Sequence, residues 1–161
     1  MTDILTGIDI RPARAGELAA VAELRRRWAM ENGREPAGTR EEFVRHFTDW
    51  ARRNAASHRC LVAVRGEAVL GMAWLALVPR VPTPHAPERF SGDVQSVYVV
   101  PGERDAGLGG LLVDAVVDLA RGLGAERVTV HSSVRAVPVY TRHGFTGSPR
   151  LLQTEATRTR R

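Results

Sequence analysis

Lysine is absent from this chain, and all 23 basic residues are arginine. That absence excludes a Walker A loop, whose Gly-Lys-Ser/Thr end sets an ammonium on the phosphates. A single cysteine, Cys60, excludes an internal disulfide and favours a reducing compartment, so the expected location is cytoplasmic. No apolar run is long enough to cross a bilayer, and the opening "MTDILTGIDI" has neither the charged nor the apolar region of a signal peptide. His46, His58, His85, His131 and His143 lack metal-ligand spacing, so no metal is expected. Cys60 opens a strand pattern with no activating neighbour in sequence, which suits a small core residue better than a nucleophile.

What is present describes one globular domain. At 161 residues, 43% hydrophobic and 25% charged, the chain has room for one core. A net charge of +5 admits a polyanionic ligand or nucleic acid. No helix-turn-helix, zinc finger or RNP aromatic pattern supports the latter, so no specific nucleic acid is expected. The all-arginine usage, beside abundant alanine, glycine and valine, looks like coding bias. "RRR" at 25–27 reads as a solvated helix face, and 154–161 as a basic, frayed tail.

Periodicity orders the elements. "GIDIRPA" suits a short strand, and Leu18, Val21, Leu24 and Trp28 recur at helical spacing until "ENGREPAG" breaks the pattern. Thr39 and Glu42 have capping-box spacing at the start of a second helix carrying Phe43, Phe47 and Trp50. "CLVAVRGEAVLGMAWLALV" reads as a hairpin turning at Gly66. The prolines of "PRVPTPHAPERFSGD" predict an irregular loop, and "VQSVYVV" the next strand. Leu108, Leu111, Leu112, Ala115, Val116, Leu119 and Leu123 stripe a third helix. "ERVTVHS" is a strand, "VRAVPVYTRHGF" a short helix, and "RLLQTEAT" a last strand. The order β-α-α-β-β-β-α-β-α-β, without repeats or a linker, makes one mixed α/β (α+β) domain over 1–161.

The stretch "YVVPGERDAGLGG" runs from strand through a turn into the striped helix. A helix N-terminus exposes unpaired N–H groups and a positive dipole end, and glycines let an anion approach them. A Rossmann fingerprint would need glycine where Leu112 stands, and an acid where the next strand ends at His131 and Ser132. A third kind of loop fits. Pro101-x-x-Arg104-x-x-Gly107-x-Gly109, after "VYVV", resembles the acetyl-CoA loop of the GCN5-related N-acetyltransferase (GNAT) superfamily. Downstream, "SVRAVPVYTRHGF" resembles that family's Asn-x-x-Ala-x-x-Leu-Tyr-x-x-x-Gly-Phe segment, with Ala136, Val139, Tyr140, Gly144 and Phe145 in register.

The resemblance implies a mixed, mostly antiparallel sheet splayed between its fourth and fifth strands, with acetyl-CoA as acetyl-donor cosubstrate. It assigns that cosubstrate to Val97, Tyr98 and Val99, to the loop N–H groups of Asp105, Ala106, Gly107, Leu108, Gly109 and Gly110, to the charge of Arg104, and to Ser133. Serine stands at 133 where relatives often have asparagine, and a carboxylate at Asp105 is unfavourable beside a diphosphate. Tyr140 matches the tyrosine that protonates the leaving thiolate. Asp93, eleven residues before Arg104, matches the place of a base in some members; Glu31, Glu88, His85 or a water chain are alternatives. The acceptor implied is a primary amine of a small molecule or peptide, gripped by "ENGREPAG" and "PRVPTPHAPERF", with Trp28 as either core or substrate wall. Valine at 128, where ribosomal-protein acetyltransferases carry glutamate, argues against that subclass. Relatives often dimerise, which makes a homodimer an expectation by resemblance alone. The alternative to an enzyme is an acetyl-CoA-binding sensor of the same fold.

Overall fold

In the computed structural model, which describes residues 5–157, the alternating segment after Ser57 forms a hairpin of β2 (His58–Arg65) and β3 (Ala68–Arg80). Gly66 makes the turn with φ +61°, a left-handed conformation that glycine enters without steric cost. β1 (Ile8–Pro12) adds to β2 on one side, and β4 (Arg89–Val99) to β3 on the other, all antiparallel. β5 (Val128–Val130) joins β4 in parallel, so the sheet order is β1-β2-β3-β4-β5.

Helices cover both faces because each strand buries its two alternating sets of side chains. Leu61, Ala63, Ala73, Leu75 and Val94 face the stripe Leu108, Leu112, Val116 and Ala120 of α3 (Leu108–Leu123). Val62, Val64, Met72, Trp74 and Tyr98 face α1 (Leu18–Glu31), with Ala51, Phe47 and Trp50 of α2 (Arg40–Arg53) closing the same cluster. Met72, Leu75, Leu112 and Val116 are fully buried, each stabilising the fold by about 1.5–3 kcal/mol. The capping box is present: Glu42 N donates to Thr39 Oγ1 at 3.2 Å, and Thr39 N to Glu42 Oε2 at 2.9 Å. At the start of α1, Arg11 of β1 makes a two-pronged ion pair with Glu17, at 2.7 and 2.8 Å.

Two expectations change. The proline-rich loop is shorter than its composition predicts, because β3 continues to Arg80 and β4 starts at Arg89, with Pro79 paired to Phe90. The β2–β3 register ends at Ala76, and Leu77 N reaches only as far as Ser57 O. Pro79, two residues on, therefore places its missing N–H on a side that no strand occupies. The last strand expected at "RLLQTEAT" does not form: residues 151–157 pair with no strand, and Leu151 and Leu152 are exposed. α4 (Val137–Arg142) is therefore the final regular element among the described residues, and the end of the expected tail lies outside them. No helix among them is long and apolar enough to cross a membrane.

Candidate active site

One extra residue in β4 organises the site. The β3–β4 register slips between Trp74 and Leu75, so Leu75 pairs with Val94, Trp74 pairs with Ser96, and Gln95 bulges. A bulge inverts the alternation beyond it. Ser96 and Tyr98 turn toward α1, while Val97 and Val99 join the α3 side. The backbone inverts as well: Val100 N donates to Leu70 O at 2.9 Å, so Ser96, Tyr98 and Val100 bond to β3, leaving Val97 and the Val99 N–H on the opposite edge. β5 does not cover that edge, because its pairing with β4 stops at Val94 with Val130. The fourth and fifth strands thus part where β4 exposes open backbone groups.

The glycine-rich turn continues that open edge. Asp105 adopts φ +67° and Gly107 φ +88°, both left-handed, and α3 starts with no side-chain cap. Backbone N–H groups from Asp105 to Gly110 have no protein acceptor among the described residues; Leu111 N is the first to bond, to Gly107 O at 3.1 Å. Orphan donors at the positive end of a 16-residue helix form an anion site that suits a diphosphate. Asp105 is explained by its backbone: aspartate is among the few side chains that tolerate the left-handed region, and its own side chain is exposed.

Arg104 fastens the turn to the fold. Its Nε donates to Val99 O at 2.8 Å, Nη2 donates to Glu31 Oε2 at 2.8 Å, and the guanidinium lies 5.2 Å from the Tyr98 ring centre. The Tyr98 hydroxyl donates to the other Glu31 oxygen at 2.6 Å. Burial alone would raise the Glu31 pKa, but these two donors outweigh it and hold the carboxyl below its usual range. With both oxygens engaged, Glu31 ties α1 to the loop. Tyr98 presents neither group to the open edge: its backbone faces β3, and its ring is buried against α1.

Tyr140 lies on α4, half-buried, its ring edge-on to Phe145 at 5.4 Å. Its hydroxyl has no protein partner among the described residues, and burial raises its pKa, so the phenol keeps its proton. His143 locks α4 to the anion helix: its Nδ1 lies 2.8 Å from Asp114 Oδ1, and its ring rests on Gly110. Ser133 spends its hydroxyl oxygen as a cap, accepting from Ala136 N at 3.3 Å.

Asp93 stands just before the strands part, half-buried, accepting from Thr129 Oγ1 at 3.2 Å and Gln95 Nε2 at 3.3 Å. His85 and Glu88 are exposed on the 81–88 loop. Cys60 is partly buried, and burial pushes its thiol pKa up, which leaves it unreactive. Among the described residues no cluster could hold a metal ion.

Arg25 is the residue the sequence reading missed. It is half-buried rather than solvated, with its guanidinium 4.3 Å from the Trp28 ring centre and Nη1 3.4 Å from Ser96 Oγ. The available clue was spacing: position 25 falls at i+4 from Val21 and i−3 from Trp28, on the buried stripe.

The Acetyltransferase (GNAT) family matches residues 18–145. Comparison with curated protein sequences gives no match. A Clostridium acetobutylicum structure described as a predicted acetyltransferase with acetyl-CoA is 21% identical, with a TM-score of 0.73 over 92% of this chain and 96% of that one. A GCN5-related N-acetyltransferase from Ralstonia eutropha is 25% identical, with a TM-score of 0.73 over 94% and 100%. A Trypanosoma brucei acetyltransferase is 25% identical, with a TM-score of 0.71 over 92% and 99%. The fold has parted strands beside an uncapped helix start, and the chain belongs to the GNAT acetyltransferase family.

Proposed function

We propose that this protein transfers the acetyl group of acetyl-CoA to a primary amine, of a small molecule or exposed on a peptide, by direct attack in a ternary complex. The observation that carries the reading is two neighbouring sets of unpaired backbone N–H groups, Val97 and Val99 at the parted strands and Asp105–Gly110 at the start of α3. Acetyl-CoA is the donor and, when bound, supplies an acyl carbon activated by a thiol leaving group.

The chain's own groups divide the remaining work. N–H groups of Asp105 to Gly110 bind the diphosphate, with Arg104 fixing their loop through Val99 O and Glu31. The Val99 N–H, directed away from β3, is placed to polarise an acyl oxygen. Asp93, steadied by Thr129 and Gln95, takes the proton lost by the amine, directly or through water. Tyr140, protonated and without a competing partner among the described residues, gives its proton to the departing thiolate.

A coenzyme A release assay over amino acids, polyamines, aminoglycosides and peptide N-termini tests this, read beside calorimetric titration with acetyl-CoA. The expected result is saturable, amine-dependent release. Tight acetyl-CoA binding with no release across the panel would replace the enzyme with a binding protein.

A further inference from the structure

We propose that Arg25 is an anion-binding residue of the acceptor site, so that the amine acceptor carries a carboxylate or a phosphate. The inference rests on the acetyl-transfer reading above and names its substrate class.

Several arginines of the fold meet carboxylates, among them Arg11 with Glu17, Arg65 with Glu103, Arg89 with Glu126 and Arg104 with Glu31, whereas others, such as the partly buried Arg59, make no ion pair among the described residues. Arg25 too meets no carboxylate among the described residues. Among the described residues its one polar side-chain contact is the long 3.4 Å approach to Ser96 Oγ, while its guanidinium carbon lies over the Trp28 ring. Burial lowers its pKa, and the nearby charge of Arg34 lowers it further. A half-buried cation with no anion costs free energy that a well-paired one would recover. The indole contact steadies the guanidinium, and with no carboxylate on it among the described residues its N–H groups are available for two-pronged recognition of a planar carboxylate or a phosphate.

Its place in the fold says which ligand supplies the anion. Ser96 lies past Val94, where β5 leaves β4, and on the α1 face of the sheet. Asp93 precedes Val94, which faces α3, so alternation puts Asp93 on the same face as Ser96. Two pleat steps across the bulge separate the two side chains by roughly 7 Å along the strand. Asp93 suits the amine end of an acceptor and Arg25 its anionic end, a few bonds away. The orphan N–H groups of α3 lie across the sheet and are reserved for the diphosphate.

The test compares ω-amino acids from glycine to 5-aminovalerate with their amides, and O-phosphoethanolamine with ethanolamine, in the release assay. The acids or the phosphate ester should lead their neutral partners in kcat/KM by ~10- to 100-fold. Arg25→Gln should bring that ratio toward one, Arg25→Lys should keep part of it, and Arg45→Gln, on the exposed face of α2, should leave it alone. The preferred series separates carboxylate from phosphate. Separately, titrating the donor-free protein with glutarate or inorganic phosphate should give a saturable change in tryptophan emission that Arg25→Gln abolishes. Equal turnover of charged and neutral partners, or a preference and a titration that survive in Arg25→Gln, overturns the proposal. Anion binding through Arg25 with no acetyl transfer to any amine would instead defeat the transfer reading alone. Thermal unfolding of each variant reports whether it folds; should Arg25→Gln not fold, the comparison of Arg25→Lys with the parent decides.

Discussion

Gly110 and His143 share one volume: a Cβ on Gly110 would stand 2.6 Å from His143 Cε1 and nearer still to Nε2. The imidazole lies on the first turn of the anion helix, held there by Asp114 at 2.8 Å. Gly110→Ala should therefore dislodge His143 and lower stability by about 1–3 kcal/mol. In thermal unfolding, adding His143→Ala should cost less in the Gly110→Ala background than in the parent, because the methyl has already expelled the ring. Strict additivity would show that the two residues do not compete.

Tyr140→Phe removes the phenolic proton while keeping the ring against Phe145. Turnover should fall by roughly 10²- to 10⁴-fold, with acetyl-CoA affinity changed by less than about 2-fold. Unchanged turnover in single-turnover release experiments would remove Tyr140 from proton transfer.

Asp105 sits at φ +67°, so its substitutions should rank by tolerance of that conformation. Asp105→Gly and Asp105→Asn should fold as well as the parent, and Asp105→Val should lose about 1–2 kcal/mol in denaturant unfolding. Calorimetry of the asparagine variant isolates the charge. Tighter acetyl-CoA binding than the parent is expected, because a carboxylate is gone from beside the diphosphate loop.

Glu17 carries an acid-sensitive part of the stability. The hydrogen bonds from Arg11 are the main cause that brings its carboxyl from 4.5 down to about 2. A carboxylate with a lowered folded pKa stabilises the fold above its unfolded value, and that contribution fades as pH falls from 4.5 toward about 2. The melting temperature of Glu17→Gln should trail the parent at neutral pH and converge with it across that window. A gap that persists at the acid end would assign the effect to shape rather than charge.

Much of this was legible in the sequence because local chemistry and global fold agree. Thr39 and Glu42 announce α2, the stripe from Leu108 to Leu123 announces α3, and the two motifs around Gly107 and Tyr140 announce the family. What stayed hidden depends on partners distant in sequence. The glycines of the turn read alike, yet Gly107 serves a left-handed backbone and Gly110 makes room for His143. "RRR" reads as three exposed charges, but only the stripe through Val21 and Trp28 shows that Arg25 turns inward. "RLLQTEAT" alternates well enough for a strand, yet alternation does not create a partner: the described residues after Arg150 join neither edge strand of the sheet, β1 or β5.

Gln95 has a meaning that its exposed side chain does not suggest. It works as a phase shift: the β4 residues before it keep one parity, and those after it keep the other. Exchange of its side chain is neutral to that arithmetic, whereas loss of one residue is not. Deleting Gln95 would turn Ser96 and Tyr98 toward α3 and Val97 toward α1, parting Arg25 from Ser96 and Glu31 from Tyr98 in one step. For the parity of β4, what counts at position 95 is the presence of a residue and not its side chain, which serves Asp93 separately.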